Sequence, residues 1–292
     1  MIYAILAYLL WGAFPAFFPL LEPAAPLEIL AHRFVWTLGF MVLVLTVTRH
    51  WRPLREASLR TWGWVALAGF FISGNWGIYV YTVNTGHVAE AALGYFINPI
   101  VSVALGVLFL KERLSPLQTL SVGIAFLGVL VLTITLGTPP LLALGLAFSF
   151  GFYGLIKKRV PLTSTESLTA ETIVIFPIAA AYLLFLSSQG ESTFTEFGWQ
   201  HTALLMTAGV VTATPLLFFG KGVKEVPLAA IGMLQYMTPT MQMLWAVFVT
   251  KEDISTARWV GFIIIWVSVA IFMTDIALRA RHRAHIKKSR RV

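Results

Sequence analysis

Cysteine is absent from the 292 residues, which excludes disulfides, thiolate metal sites and cysteine nucleophiles. Charge is almost as scarce. Asp, Glu, Lys and Arg make up 12% of the chain, against roughly 25% in soluble proteins. A water-facing shell could not be built from so few polar groups, so an ordinary soluble fold is excluded. Also lacking are the phosphate cradle Gly-x-x-x-x-Gly-Lys, the zinc motif His-Glu-x-x-His and the nucleophile elbow Gly-x-Ser-x-Gly. An ATP-driven pump and an enzyme are therefore not expected, and no cofactor or metal is implied. The chain also lacks a basic start: the first 21 residues are uncharged and the first basic residue is Arg33. A secretory signal needs a basic leading region, so residues 2–20 read as a retained first span.

What is present is apolar sequence. Hydrophobic residues reach 58% and the mean hydropathy is +0.81. Residues 61–89, 91–110, 172–190, 197–220 and 226–250 hold no Asp, Glu, Lys or Arg, each long enough for a membrane helix of about 20 residues. The uncharged stretch 114–156 divides at Gly137-Thr138-Pro139-Pro140 into two more. Residues 2–20, 29–48 and 257–276 complete ten expected spans, and the fold class is an all-α integral membrane protein.

The net charge of +8 would suggest nucleic acid in a soluble protein, but here the basic residues lie between apolar runs. With a cytoplasmic N-terminus and ten spans, 18 of the 21 Lys and Arg fall on the inner side, and Arg33, Lys251 and Arg258 remain outside. That bias follows the positive-inside rule and places both termini in the cytoplasm. The basic tail 279–292 directly follows a span, so it reads as an anchor on anionic lipid headgroups, disordered or weakly helical. No nucleic-acid partner is expected.

A shift of 140 residues aligns the two halves. Pro99 falls on Pro239, Ala68-Gly69 on Ala208-Gly209, and Lys111-Glu112-Arg113-Leu114-Ser115 on Lys251-Glu252-Asp253-Ile254-Ser255. Five spans per half is odd, so the copies must enter the bilayer in opposite senses. The expected organisation is two inverted five-helix repeats, 1–137 and 138–278, followed by the tail 279–292. Inverted repeats are a common plan of secondary transporters, with the substrate site between the copies.

Polar residues inside spans should avoid lipid. Tyr95, Asn98 and Ser102 share one helical stripe, and Gln235, Thr238 and Gln242 repeat it at the 140-residue offset. Pro99 and Pro239 each leave a carbonyl on these stripes without its helical donor, suggesting hinges. Asn75, Trp76 and Tyr79, with Tyr8 and Trp11, extend a candidate substrate cavity. The competing reading is that the amides bond neighbouring helices. Glu28, His32, Arg33, Glu90 and Glu171 are ionisable at membrane depth, a candidate proton relay or an ion-pair set. A relay would use His32 with Glu90, and an ion pair would join Arg33 to Glu28 or Glu90.

These residues carry a family likeness. Ala7-Tyr8-Leu9-Leu10-Trp11-Gly12-Ala13-Phe14-Pro15, Glu28-Ile29-Leu30-Ala31-His32-Arg33, Asn75-Trp76 and Leu93-Gly94-Tyr95-Phe96-Ile97-Asn98-Pro99 resemble RarD-type members of the EamA group of drug/metabolite transporters. So do Thr212-Ala213-Thr214-Pro215-Leu216 and Leu234-Gln235-Tyr236. The resemblance implies a carrier in the bacterial inner (plasma) membrane, with ten helices in two inverted repeats. It also implies substrates such as metabolites or chloramphenicol-like drugs. The expected function is therefore secondary transport, as export, of small amphipathic molecules by alternating access. A passive channel or a non-transporting membrane sensor is the alternative.

Overall fold

Prolines and caps set the helix boundaries. The structure, a computed structural model, describes residues 1–137 and 139–289, with side chains for all of these except 136 and 280–289. Helix α1 covers Ile2–Gly12 and is followed by two 3₁₀ turns, Phe14–Ala16 and Phe18–Leu21. Pro15 and Pro19 sit at the starts of these turns, where a missing amide donor is tolerated. The expected first span, 2–20, is thus α-helical over its first 11 residues and tighter beyond.

Helix α2 is Pro26–Thr48, and a short helical turn, Arg52–Arg55, leads to α3, Leu59–Asn84. Then follow α4 (Val88–Leu110), α5 (Pro116–Leu136), α6 (Leu141–Arg159), α7 (Ser164–Ser188) and α8 (Gly198–Glu225). Helix α9 is Leu228–Gln235, α10 is Met237–Trp245 with a π-helical turn at Ala246–Thr250, and α11 is Thr256–Ser289. The stretch 226–250, expected as one span, is divided at Tyr236. Pro239 takes the donor from the Gln235 carbonyl there, whereas Pro99 leaves α4 unbroken. The backbone of the basic tail continues α11 to Ser289 rather than becoming disordered; Thr138 and residues 290–292 lie outside the described residues.

All regular elements among the described residues are helical, and seven helices are long and apolar enough to cross a membrane. These are α2, α4, α5, α6, α7, α8 and α11. The other three expected spans fall on short α1, on divided α9–α10, and on α3, whose apolarity is diluted by Gly, Ser, Asn, Trp and Tyr.

Helix α7 begins earlier than its uncharged run suggested. Thr163 accepts from the Glu166 amide while the Glu166 carboxylate accepts from the Thr163 amide at 2.8 Å, closing a capping box. Glu171 therefore lies two turns inside α7, not in its first turn. The ends of α4 and α10 match across the 140-residue offset. Lys111 (φ 55) and Lys251 (φ 58) are both left-handed, and the amides of Glu112 and Glu252 bond Gly106 O at 3.1 Å and Ala246 O at 2.9 Å.

Helix α4 packs on α6 and α9, α2 on α7 and α8, α1 on α8, α3 on α6, and α5 on α11. Small residues permit these approaches. A Cβ on Gly209 of α8 would lie 2.3 Å from the Trp36 backbone carbon of α2, and one on Gly94 of α4 would meet the Ala143 carbonyl of α6 at 3.0 Å. Between α5 and α11, Ser121 Oγ donates to Ser268 O and Ser268 Oγ to Ser121 O, both at 2.7 Å. The positions related to these serines by the offset, Gly261 and Gly128, also meet at this crossing.

Candidate functional site

The first half's polar stripe is turned to a helix seam. Asn98 Nδ2 donates to Ala147 O of α6 at 2.7 Å, and Ser102 Oγ donates to Asn98 Oδ1 at 3.3 Å. On α3, Asn75 Nδ2 donates to Leu146 O at 2.9 Å and to Ser149 Oγ at 3.0 Å. Both amides are buried and bridge helices, the arrangement favoured where lipid offers no alternative partner.

The second stripe faces α1. Thr238 Oγ1 donates to Tyr8 O at 3.0 Å, and Gln242 Nε2 reaches Trp11 O at 3.5 Å. Gln235 differs from Asn98. Its Oε1 and the Tyr8 hydroxyl are buried without a hydrogen-bond partner among the described residues. Trp11 and Tyr8 join an aromatic cluster with Phe150 and Phe219 through tilted and edge-on contacts, which gives them a packing role toward the C-terminal end of α1. The break at Tyr236 is tied across the bundle, since its hydroxyl donates to Phe96 O at 3.1 Å.

The ionisable residues separate into three places. Glu28 is buried and accepts from Ser192 Oγ, from the Thr193 amide and from Thr193 Oγ1 at 2.7–3.0 Å. Beside it, His32 Nδ1 accepts from Trp36 Nε1 at 3.2 Å, its ring stacks on Phe194, and Nε2 lies 4.0 Å from Glu28. A pocket of about 330 Å³ adjoins His32, Trp36 and Phe194, away from both amide stripes. Glu90 instead accepts from the Leu142 amide at the start of α6, at 3.3 Å. No described hydrogen bond joins His32 to Glu90, so the paired relay is not assembled.

Glu171 belongs to a cluster that the charge pattern hid. Lys157, one of the 18 basic residues counted on the inner side, is fully buried. Its ammonium donates to Glu171 Oε1 at 2.7 Å and to Ser167 Oγ at 2.9 Å, while Tyr153 OH donates to Glu171 Oε2 at 3.1 Å. Each charged group thus has both an opposite charge and neutral partners, which a buried ion pair requires. The capping box at Thr163 was the available signal, because an early start to α7 carries Glu171 into the bundle.

Arg33 forms no ion pair with Glu28 or Glu90, nor with any other carboxylate among the described residues. Its Nε donates to Thr212 Oγ1 of α8 at 2.9 Å. The guanidinium carbon lies 4.0 Å from the Trp76 ring centre, 5.2 Å from Phe18 and 5.9 Å from Phe14. This is cation–π geometry on the faces of rings supplied by α3 and the two 3₁₀ turns. Tyr79 and Tyr95 pack ring to ring at 6.0 Å. Tyr79 is 39% exposed while Asn75, one turn earlier, is 2% exposed. Phe14, Phe18 and Thr212 were not chosen from the sequence. Phe and Thr are too common in an apolar chain to stand out without their partner.

A second carboxylate acts on backbone. Glu112 Oε1 and Oε2 accept from the Leu228 and Ala229 amides, the first of α9, at 2.7 and 2.9 Å, and Lys158 Nζ lies 3.5 Å from Oε1. A carboxylate on the amides of a helix start is favoured by both hydrogen bonding and the helix dipole. Glu252, its counterpart at the 140-residue offset, instead accepts from Thr250 Oγ1 at 2.9 Å. The counterparts of its targets, Val88 and Ala89 at the start of α4, bond no carboxylate among the described residues.

Fold and site together define a multi-pass helical membrane protein with polar groups concentrated at its helix seams. The EamA-like transporter family matches residues 1–134 and again 138–274. The protein RarD of Streptomyces exfoliatus is 47% identical over 98% of this chain and 91% of the relative. An uncharacterized transporter of Bacillus subtilis, YojE, is 45% identical over 93% of this chain and 92% of its own. A solved crystal structure at 18% identity superposes with a TM-score of 0.71, covering 93% of this chain and 96% of that one, a likeness of fold. The chain belongs to the EamA-like transporter family, as a RarD-type member.

Proposed function

We propose that the protein is a secondary carrier that moves small amphipathic molecules, in the direction of export, across a bacterial inner membrane. In this reading ten spans form two inverted five-helix repeats, 1–137 and 138–278. The tail 279–292 lies on anionic lipid at the cytoplasmic face, where both termini sit. Three features support the inversion: the two family matches, the paired left-handed caps at Lys111 and Lys251, and the reciprocal crossing of α5 and α11.

The observation that carries alternating access is the unequal state of two equivalent carboxylates. Glu112 is latched onto α9 at one end of the bundle, while Glu252 is unlatched from α4 at the other. Exchange of the two latches would release one end of the bundle while tying the other, and so would move access from one face to the other. Gly106 leaves room for the Glu112 carboxylate; its counterpart is Ala246, so the second latch closes in a different geometry.

The substrate path runs past the Arg33 cage and the unbonded groups of Tyr8 and Gln235. Asn75, Asn98 and Ser102 line its supporting seam. Pro239 supplies the hinge, and proton coupling enters through His32, whose Nε2 has no hydrogen-bond partner among the described residues.

Purified protein in liposomes tests the carrier, with neutral chloramphenicol and anionic 3-phenylpropanoate as the two probes. A carrier gives saturable uptake accelerated by unlabelled compound on the opposite side. Flux linear in concentration, with no such acceleration, favours the channel and overturns the proposal.

A further inference from the structure

We propose that Arg33 is the anion-recognition residue of the transport path, so that the carried molecule bears a carboxylate, or a similar planar oxyanion, on an apolar body. The inference rests on the carrier reading and names the substrate class of that site. An arginine at membrane depth ordinarily pairs with an acid. Here the nearby acids are engaged elsewhere: Glu28 with Ser192 and Thr193, Glu90 with the Leu142 amide, and Glu171 with Lys157. Arg33 is left as a positive charge with no carboxylate of its own among the described residues.

Its geometry suits an incoming anion. The guanidinium carbon lies over the Trp76 and Phe18 rings, and carbon rings take up none of its N–H groups in conventional hydrogen bonds. Thr212 takes Nε. The two terminal nitrogens bond no protein atom among the described residues. Their planar fork is the shape that holds a carboxylate with two parallel hydrogen bonds. Tyr79, one turn beyond Trp76 on α3, and Tyr95, packed against it, carry hydroxyls that can donate to the same oxyanion. The surrounding rings offer an apolar wall to the remainder of the molecule, while a cationic substrate would meet an uncompensated like charge.

The test measures binding by full-length protein in detergent, through thermal unfolding and tryptophan fluorescence. The probes are 3-phenylpropanoate and its uncharged isostere 3-phenylpropanamide. The wild type is expected to bind the carboxylate at least about tenfold more tightly than the amide. Arg33→Gln should reduce that preference to within about twofold, and Arg33→Lys, which keeps charge but loses the fork, should fall between. Equal binding of the two probes, no carboxylate binding up to about 20 mM, or an undiminished preference in Arg33→Gln overturns the proposal. If Arg33→Gln does not fold, Arg33→Lys decides: a preference equal to wild type refutes the fork. Counterflow of the same two probes in liposomes separates the two readings. Selective binding with linear flux sinks the carrier and leaves the anion site, whereas saturable exchange of amide and carboxylate alike sinks the anion site and leaves the carrier.

Discussion

Replacing Lys157 by Met should destabilise the protein far more than replacing Lys157 and Glu171 together. The single change removes the ammonium 2.7 Å from Glu171 Oε1 and leaves a carboxylate, 2% exposed, with only the Ser167 and Tyr153 hydroxyls as partners. Removing one member of a buried pair typically costs about 3–5 kcal/mol. Glu171→Leu should cost at least as much, because the remaining ammonium keeps one acceptor, Ser167, for its three donors. The double variant Lys157→Met with Glu171→Leu removes both charges and leaves two neutral hydroxyls short of a partner, at about 1 kcal/mol each. The interaction energy from the cycle should therefore exceed about 3 kcal/mol. Unfolding in mixed micelles with increasing dodecyl sulfate, followed by tryptophan fluorescence, gives the four free energies. Single variants costing less than about 1 kcal/mol, or a double variant equal to the sum of the singles, would refute the clamp. A purely structural clamp predicts that the folded double variant also retains transport.

Two further outcomes follow from the seams. Asn98→Ala should cost roughly 0.6–2 kcal/mol of stability yet leave folded protein that transports, whereas Gln235→Ala should remove flux with little loss of stability; flux assays alongside the same micelle titrations distinguish them, and the reverse pattern would return Asn98 to the substrate path. Gly209→Ala should cost about 1–3 kcal/mol in that titration, since its Cβ would overlap the Trp36 backbone, while Gly123→Ala, with nothing within 4 Å, should be neutral or stabilising.

Much of the architecture was legible because lipid imposes one rule on long stretches of chain. Uncharged runs and proline positions located most helices. The 140-residue offset paired Lys111 with Lys251, although their left-handed backbone is visible only in the structure. The boundaries that moved have local causes: Pro15 and Pro19 tighten the end of the first span, and the Thr163 box starts α7 early. The site was harder to read. Helical spacing puts Asn98 and Gln235 on equivalent stripes, but it does not say that the Ala147 carbonyl of α6 meets one amide while the oxygen of the other meets nothing. Lys157 looked like a topology signal because charge counting treats every basic residue beside a span as solvated. Arg33 was visible as a charge at membrane depth, but its rings come from three separate segments, and its lack of an acid depends on where Glu28 and Glu90 turn.

The alternation of the two latches is tested most directly by thiol accessibility, for which the natural absence of cysteine is convenient. Single cysteines at Ala229, 2% exposed beside Glu112, and at its counterpart Ala89 report on opposite ends of the bundle. Glu112→Gln weakens two hydrogen bonds from α9 amides to a charged acceptor, worth about 1.5–3 kcal/mol each. A net loss of about 2 kcal/mol would shift the balance of states by roughly 30-fold. The predicted result is reciprocal: in membranes, Ala229→Cys becomes reactive toward a water-soluble maleimide while Ala89→Cys becomes protected. Faster labelling at position 229 with labelling at position 89 unchanged would mean that Glu112 is a static cap, and would contradict alternating access.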